Sequence, residues 1–345
     1  MRNQLRYIIA AVVVIAGIVI IVATQGSSKK TTAPTTTTTA KPTGPIAPLT
    51  GLPDPSGTAL KRPALIVKIE NDPNSHPQWG VEQADVVYEE IVNGGITRLA
   101  AVFNQNAPAK IGPVRSVRPT DTQIVWPLGG IFAYSGGAAY AVDSISTAPV
   151  KLINEGAAGA AMFRDPNRVA PYNLYGITPS LFAFGGKPVP PQPLFLYRPL
   201  GQAAVGAPVS TFTVPFQSIY PITWKWNTTT HSWDRYTNFN APAAPNIDLT
   251  GTGAVESPKN VVVMYVNYPG GGPGAFTSYA DLQSGGVVKV FTGGKEISGT
   301  WARPGHDKAK PIVYIDTKGK AIRLTPGQTW VELLDVGAPA MLVKP

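Results

Sequence analysis

Two runs of β-forming residues meet at an Asn-Gly-Gly turn in the segment VVYEEIVNGGITRLAAVF, residues 86–103. Val, Tyr and Ile fill both runs, and Asn-Gly is a strong signal for a two-residue hairpin turn. With that turn, the sequence predicts that Glu89 lies opposite Arg98 as a cross-strand ion pair. A turn at the two glycines instead places Arg98 opposite Ile91. Either register predicts an antiparallel β-hairpin.

The adjacent glutamates of this hairpin, Glu89 and Glu90, raise the question of a catalytic acid/base pair. Successive strand residues point to opposite faces of a sheet, so both side chains cannot enter one pocket from a regular strand. Carboxylates that act together on a substrate must converge to within roughly 5–10 Å. The pattern therefore favours a cross-strand ion pair over paired-carboxylate catalysis.

Turn-forming residues recur along the whole chain, which has 35 glycines and 35 prolines among 345 residues. Together they are well above the roughly 12% of an average protein. Before residue 200, apolar runs such as PALIVKIEN alternate with short helical patterns, whereas after residue 210 the runs are strands separated by turns. The sequence predicts an α+β fold: a mixed α/β first domain with short helices, residues 45–200, followed by a smaller antiparallel β-rich domain, residues 210–345.

The first 44 residues predict attachment to a membrane. Arg2 and Arg6 precede an uncharged apolar run of 17 residues, Tyr7–Ala23. That length reaches the roughly 17–25 residues of a spanning helix and exceeds the ~7–15 of a cleavable signal. We predict an anchor at residues 1–25, with a signal as the alternative, and a disordered Thr/Pro-rich linker at residues 26–44. Because positive residues stay in the cytoplasm, we expect a single-pass cell-membrane protein with its body on the extracytoplasmic side.

Composition disfavours several function classes. Residues 44–345 carry 24 Lys and Arg against 20 Asp and Glu, an excess too small to predict a nucleic-acid surface. The absence of cysteine excludes disulfides and thiol nucleophiles. The three histidines, His76, His231 and His306, are too widely spaced for a zinc motif. We expect no metal, no cofactor and no nucleic acid.

Two arginines lie three residues apart between prolines in the segment IGPVRSVRPTD, residues 111–121. The prolines keep the segment extended, so Arg115 and Arg118 are expected on opposite faces, one in a pocket and one on an internal acid. A guanidinium group suits phosphate or carboxylate. The hypothesis is a polar ligand-binding cleft in the first domain, and the alternative is a closed structural ion network of the same residues. The proposed members are Lys68, Glu70, Glu89, Arg98, Arg115, Arg118, Ser135, Arg164 and Asn173.

Three tryptophans of the β-rich region, Trp224, Trp226 and Trp233, suggest a platform on which sugars stack. Trp224 and Trp226 share one face of a predicted strand, and Trp233 returns on the partner strand. Packing in the core explains this pattern equally well, so both interpretations stay open.

Several segments come in an order that resembles one bacterial family. They are RPALIVKIEN, ADVVYEEIVNGGITRLAAVF, IGPVRSVRPTD, YSGG and FRDPNRVAPYNLY, followed by NVVVMYV, ISGTWARP and IRLTPGQTWVELL. The order is similar to that of the YerB-like envelope lipoproteins, domain of unknown function 3048, with its N- and C-terminal modules, over roughly residues 45–340. The resemblance implies a location on the outer face of the cytoplasmic membrane and supplies no reaction. A lipoprotein needs a cysteine, which this sequence lacks, so an apolar helix would have to serve as the anchor.

The sequence leaves two functions to consider. One is a non-enzymatic binding or scaffold protein of the cell envelope, whose partners are the bacterial membrane, through the N-terminal helix, and a cell-wall glycan or another envelope protein. The other is a hydrolase or transferase of wall polymer that uses carboxylates of the cleft. Such an enzyme needs a nucleophile or an acid/base pair in a defined arrangement, and no recognised spacing links the candidates. We therefore prefer binding and leave catalysis open.

Overall fold

The structure is a computed structural model that describes residues 44–185, 189–216, 221–237, 246–269 and 279–345. The predicted anchor and all of the predicted linker except Gly44 lie outside these residues. Within these ranges, no helix combines the length and the apolar character needed to cross a membrane. Residues 42–345 form one compact unit, and every core residue that the structure describes belongs to it. Because this unit has its own core, we expect it to fold alone, and the experiments below use it.

Short strands dominate the fold. In chain order the strands are β1 (Leu65–Glu70), β2 (Val86–Ile91), β3 (Thr97–Phe103), β4 (Ile131–Tyr134), β5 (Lys151–Asn154), β6 (Met162–Arg164), β7 (Leu174–Gly176), β8 (Leu196–Tyr197), β9 (Ala207–Pro208), β10 (Thr211–Val214), β11 (Ile222–Asn227), β12 (Ser232–Thr237), β13 (Asn246–Ile247), β14 (Asn260–Val266), β15 (Gly286–Thr292), β16 (Lys295–Ala302), β17 (Val313–Asp316), β18 (Arg323–Leu324), β19 (Thr329–Asp335) and β20 (Leu342–Lys344). The α-helices are α1 (Pro119–Val125), α2 (Ala139–Ser146), α3 (Glu155–Ala158) and α4 (Thr178–Phe182). Many strands beside a few short helices confirm the α+β fold.

Eleven of the described strands form one mixed sheet, in the order β17-β16-β15-β14-β19-β2-β3-β1-β4-β5, with β9 paired to β16. Strands β1, β4 and β5 are parallel neighbours, as are β14, β19 and β2. Strand β3 is antiparallel to both β1 and β2, so β1 and β2 run in the same direction. The carboxyl ends of β1, β4 and β5 therefore lie side by side at one edge of the sheet.

Both predicted domains contribute to this sheet. Strand β19 pairs in parallel with β2, from Val86 opposite Thr329 to Glu90 opposite Leu333. The second sheet, in the order β13-β12-β11-β10-β20, is antiparallel and comes from the later segment. The predicted boundary near residues 200–210 thus falls inside one compact unit, and the division into domains stays a prediction.

The hairpin of β2 and β3 forms as predicted, but its predicted register is wrong. Arg98 pairs with Glu90, and Glu89 pairs with Leu99. The turn contains three residues, Asn93–Gly95, instead of two. The pairing therefore falls between the two registers considered above. A shift of one position exchanges the faces of a strand, so Glu89 turns away from Arg98.

Aromatic rings join the second sheet to the main sheet. Phe212 of β10 stacks on Phe291 of β15, with ring centroids 3.5 Å apart. Phe212 also meets Trp233 of β12 edge to face, with centroids 5.1 Å apart. All three side chains are buried. These contacts place Phe212 at the centre of the packing between the two sheets.

Replacing Phe212 by alanine should lower the free energy of unfolding by about 3–5 kcal/mol, because it removes buried apolar surface and leaves a cavity. Urea unfolding of residues 42–345, followed by circular dichroism, measures the loss. Leu342→Ala on the neighbouring strand β20 is the matched control, because that side chain is 69% exposed. Similar losses in the two variants would contradict the packing described here.

Candidate functional site

Polar residues follow the carboxyl ends of the three parallel strands at one edge of the main sheet. Glu70 ends β1, Ser135 follows β4, and Glu155 follows β5. In open sheets with parallel strands, ligands bind outside this edge. The arginine-bearing segment crosses it, since the Ser135 amide donates a hydrogen bond to the Arg115 carbonyl at 2.9 Å. This edge is the candidate site.

Three arginines gather around Glu70 and Ser116. Arg115 donates from Nε to the Glu70 carboxylate at 2.5 Å, and Arg98 donates to both carboxylate oxygens at 3.1 and 3.3 Å. The Ser116 hydroxyl oxygen accepts from Arg98 at 2.8 Å and from Arg118 at 3.1 Å. The predicted placement of Arg115 and Arg118 on opposite faces is wrong for their guanidinium groups, because both lie close to Arg98. We call this group the arginine cleft.

The arginine cleft carries excess positive charge. Burial raises the pKa of Glu70, but the charges and hydrogen bonds of Arg98 and Arg115 outweigh burial and hold this pKa below its usual value. Burial lowers the pKa of Arg98, the charge of Glu70 opposes that effect, and the charges of Arg118 and Arg115 lower the pKa further. The Glu70 carboxylate therefore pairs with two guanidinium groups, and the charge of Arg118 acts on Arg98 beside them. Within this group of residues, three positive charges stand against one negative charge.

Two of these arginines have donors to spare. The Arg115 side chain is 28% exposed and its Nε pairs with Glu70. Arg118 forms no ion pair among the residues that the structure describes. Its Nη1 donates to Ser116 and Val117, and its Nε is buried without a hydrogen-bond partner there. An anion at this edge would meet guanidinium groups and the Ser116 hydroxyl, which are suitable donors for phosphate or carboxylate oxygens.

A second polar group lies at the same edge. Arg164 donates to both carboxylate oxygens of Glu155 at 2.8 Å and to the Asn173 side chain at 2.8 Å. The Ser135 hydroxyl donates to Glu155 at 3.2 Å. The structure thus brings Ser135, Arg164 and Asn173 together around Glu155. The sequence analysis did not predict Glu155 or Ser116 as members of the site. Ser116 does lie between Arg115 and Arg118, which were predicted.

Lys68 and Glu89 form their ion pairs outside the arginine cleft, although the Lys68 group adjoins it, since the Arg118 amide donates to Asp121 at 2.6 Å. Lys68 is fully buried and donates to Glu90 and, at 2.9 Å, to Asp121. Glu89 is also fully buried, and it accepts from Arg235 at 3.0 Å. Both residues thus belong to closed ion networks, which was the alternative to a ligand-binding cleft in the sequence analysis.

The network on the Glu89 side gathers four acids from distant parts of the chain around Arg235. Besides Glu89, Arg235 contacts Asp248 and, at 3.6 Å, Glu256. Burial raises the pKa of Glu332, and the neighbouring Glu89 charge raises it further. Burial raises the pKa of Glu256, and the charge of Asp248 raises it further. Sequence reasoning missed this network because no local pattern links its members.

The three tryptophans of β11 and β12 do not together form a surface on which a sugar could stack. Trp224 and Trp233 have no exposed surface, and the Trp224 indole donates to Glu332 at 2.8 Å. Trp226 is half-buried and packs on Trp233, with ring centroids 5.0 Å apart. A sugar cannot stack on a ring that the core covers, so the glycan-stacking interpretation is wrong for Trp224 and Trp233.

Replacing Lys68 by methionine should lower the free energy of unfolding near neutral pH by about 3–5 kcal/mol, because two buried carboxylates lose their cation. Burial raises the pKa of Asp121, Lys68 lowers it, and Glu90 raises it. Without Lys68 this pKa rises further, so the folded variant binds more protons than the unfolded chain. The difference in free energy of unfolding between the parent and the variant should therefore shrink as the pH falls from about 7.5 towards about 5.

Urea titrations of the parent and of Lys68→Met at several pH values measure this effect. Lys61→Met is the matched control, because Lys61 is exposed and its replacement should change stability by no more than about 0.5 kcal/mol. A Lys68→Met deficit that does not change with pH would rule out uncompensated carboxylates as its cause.

Comparison with known proteins identifies the relatives of this fold. The chain matches "Protein of unknown function (DUF3048) N-terminal domain" over residues 49–186 and the corresponding C-terminal domain over residues 212–331. It is 24% identical over 294 residues to "Putative lipoprotein YerB" of Bacillus subtilis (strain 168), which covers 84% of this chain and 86% of that protein. The crystal structure of the YerB protein from Bacillus subtilis has the same fold, with a TM-score of 0.72 and 22% identity over 86% of this chain and 99% of that chain. This chain therefore belongs to the DUF3048 family of proteins of unknown function and contains both of its domains.

Proposed function

We propose that this chain is a bacterial envelope protein that binds an anionic ligand in the arginine cleft and does not catalyse a reaction. The observation that carries the proposal is that Arg98, Arg115 and Arg118 gather at the carboxyl edge of the sheet, where Arg98 and Arg115 pair with the Glu70 carboxylate and Arg98 and Arg118 donate to the Ser116 hydroxyl oxygen. An anion with phosphate or carboxylate oxygens would balance the two remaining positive charges. The ligand class is therefore an acidic component of the envelope.

The envelope location has its own support. The Bacillus subtilis relative is named as a lipoprotein, and the run Tyr7–Ala23 of this chain has the composition of a membrane anchor. We propose a single-pass protein with residues 45–345 outside the cytoplasmic membrane. Cell-wall polymers carry phosphates and peptide carboxylates, so a wall glycan or an acidic segment of another envelope protein fits the cleft.

Binding is preferred over the alternative, a wall-polymer hydrolase or transferase, because the carboxylates of this edge are already paired. A general acid near neutral pH needs a raised pKa, whereas the pKa of Glu70 is lowered. Glu155 accepts both hydrogen bonds from Arg164 and one from Ser135. Its two oxygens are thus already engaged by the Arg164 guanidinium group and the Ser135 hydroxyl.

The test is titration of residues 42–345 with inorganic phosphate, citrate and soluble peptidoglycan fragments, followed by calorimetry and by the thermal midpoint. At a ligand concentration about a hundred times the Kd, binding should stabilise the parent by about 2.7 kcal/mol. Arg115→Ala and Arg118→Ala should each weaken binding about tenfold or more, because hydrogen bonds to charged groups contribute about 1.5–3 kcal/mol.

Lys61→Ala is the matched control, because it removes one exposed positive charge without altering the cleft. Binding by this variant should equal that of the parent. The proposal fails if none of the three probes binds and both arginine variants melt early, since the arginines would then serve only to hold the fold. Hydrolysis of the peptidoglycan fragments by the parent would support the enzyme instead.

A further inference from the structure

An apolar groove lies at the other end of the main sheet, beside its last strand β17. It has a volume of about 430 Å³, within the roughly 300–1,000 Å³ of small-molecule sites. One wall is the segment 193–196 and the other is the segment 311–315, while Ala321 and Ile322 also line it. Six strands of the sheet order lie between β17 and β1, so the groove is distinct from the arginine cleft.

The walls of the groove expose aliphatic side chains to solvent. Leu196 is 49% exposed, Val313 is 40% exposed and Ile315 is 38% exposed. Phe195 and Tyr314 stack below them, with ring centroids 5.8 Å apart. Contiguous exposed apolar surface of this kind marks a binding site more often than chance exposure does.

The rim of the groove is basic. Lys318 and Lys320 flank Gly319, which lines the groove, and both are exposed. The nearby acid Asp316 accepts from the backbone amides of Lys318 and Lys320 at 2.9 Å each. These backbone hydrogen bonds, from the Lys320 amide above all, and the charges of both lysines hold the pKa of Asp316 below its usual value. Neither ammonium group forms an ion pair among the described residues. Arg323, which is also exposed, adds positive charge next to residues of the wall, whereas Lys310 pairs with Asp307 at 4.0 Å.

The backbone around the groove argues against a peptide that would add as a strand. Strand β17 pairs with β16 on one side. On the other side the Ile322 amide donates to the Tyr314 carbonyl at 2.9 Å, and the Asp316 amide donates to the Lys320 carbonyl at 2.8 Å. Strand addition needs an open backbone edge, and these bonds already occupy it. The groove therefore suits an occupant that makes apolar contacts and requires no backbone pairing.

We propose that this groove binds the acyl chains of an anionic phospholipid, with Lys318 and Lys320 next to the head group. The aliphatic walls provide the apolar contact, and the unpaired ammonium groups select negative charge over a zwitterionic head group. In a protein tethered to a membrane, such a site would hold this end of the sheet at the lipid surface.

The test uses residues 42–345 and two short-chain lipids that stay monomeric in water, dihexanoyl phosphatidylglycerol and dihexanoyl phosphatidylcholine. The two probes share their acyl chains and differ in head-group charge. Titration calorimetry should show tighter binding of the glycerol lipid, and a rise in salt should reduce the difference, because exposed charges are screened. Chemical shifts or quenching of Tyr314 would locate the site.

Two double variants separate the apolar contact from the charge. Leu196→Ser/Val313→Ser changes partly exposed side chains, so the protein should fold, and it should weaken binding of both lipids about tenfold or more. Lys318→Gln/Lys320→Gln should leave binding of the choline lipid unchanged and weaken binding of the glycerol lipid by about fivefold per lysine. Lys151→Gln is the control, because it removes one exposed positive charge on β5 at the opposite end of the main sheet, and it should bind both lipids as the parent does.

Three results would overturn the proposal. One is that neither lipid binds below its micellar concentration. Another is equal binding of both lipids that neither double variant alters. The third is a dimer in sedimentation that Leu196→Ser/Val313→Ser converts to a monomer without any lipid binding, because the groove would then be an interface between copies of this chain. The arginine cleft is tested with other probes and with Arg115→Ala and Arg118→Ala, so either proposal can fail while the other holds.

Discussion

Strand β2 carries two adjacent carboxylates through the middle of a sheet that is covered on both faces, and each carboxylate needs a cation. All six residues of β2 are buried, and an unpaired charge in such surroundings is very costly. Lys68 of β1 meets Glu90 on one face, and Arg235 of β12 meets Glu89 on the other. These two ion pairs link β2 to β1 within the main sheet and to β12 of the second sheet.

The arginine cleft differs from the other ion clusters in the sign of its net charge and in its exposure to solvent. The networks of Lys68 and Arg235 contain more acid than base and are closed to solvent. The cleft contains more base than acid, and Arg115 remains partly exposed at an edge where parallel strands end. Buried ion pairs hold the fold, whereas an open cluster with surplus donors is suited to a ligand. The distinction rests on exposure and charge count, which the sequence alone does not reveal.

Local patterns predicted the fold class, the hairpin and the membership of the family, because strands and turns depend on neighbouring residues. The hairpin register could not be predicted, since an Asn-Gly-Gly segment allows a two-residue or a three-residue turn. The partner of Glu89 is Arg235, 146 residues further along the chain, and no spacing in the sequence links them. Arg115 and Arg118 were found from their setting between prolines, but the carboxylate that Arg115 pairs with, Glu70, is 45 residues away in sequence. Burial of Trp224 and Trp233 depends on contact between two sheets, which strand periodicity does not report.

The parallel pairing of β2 with β19 has a consequence for how the chain reaches its native state. Glu89 and Trp330, which form a hydrogen bond across these strands, are 241 residues apart in sequence. As synthesis proceeds from the N-terminus, one backbone edge of β2 has no native partner until almost the whole chain has emerged. Such an edge is a template for pairing between chains, and contacts of long sequence separation form slowly. The N-terminal family domain produced by itself would keep that edge open, so we expect it to pair between chains more readily than the full unit does.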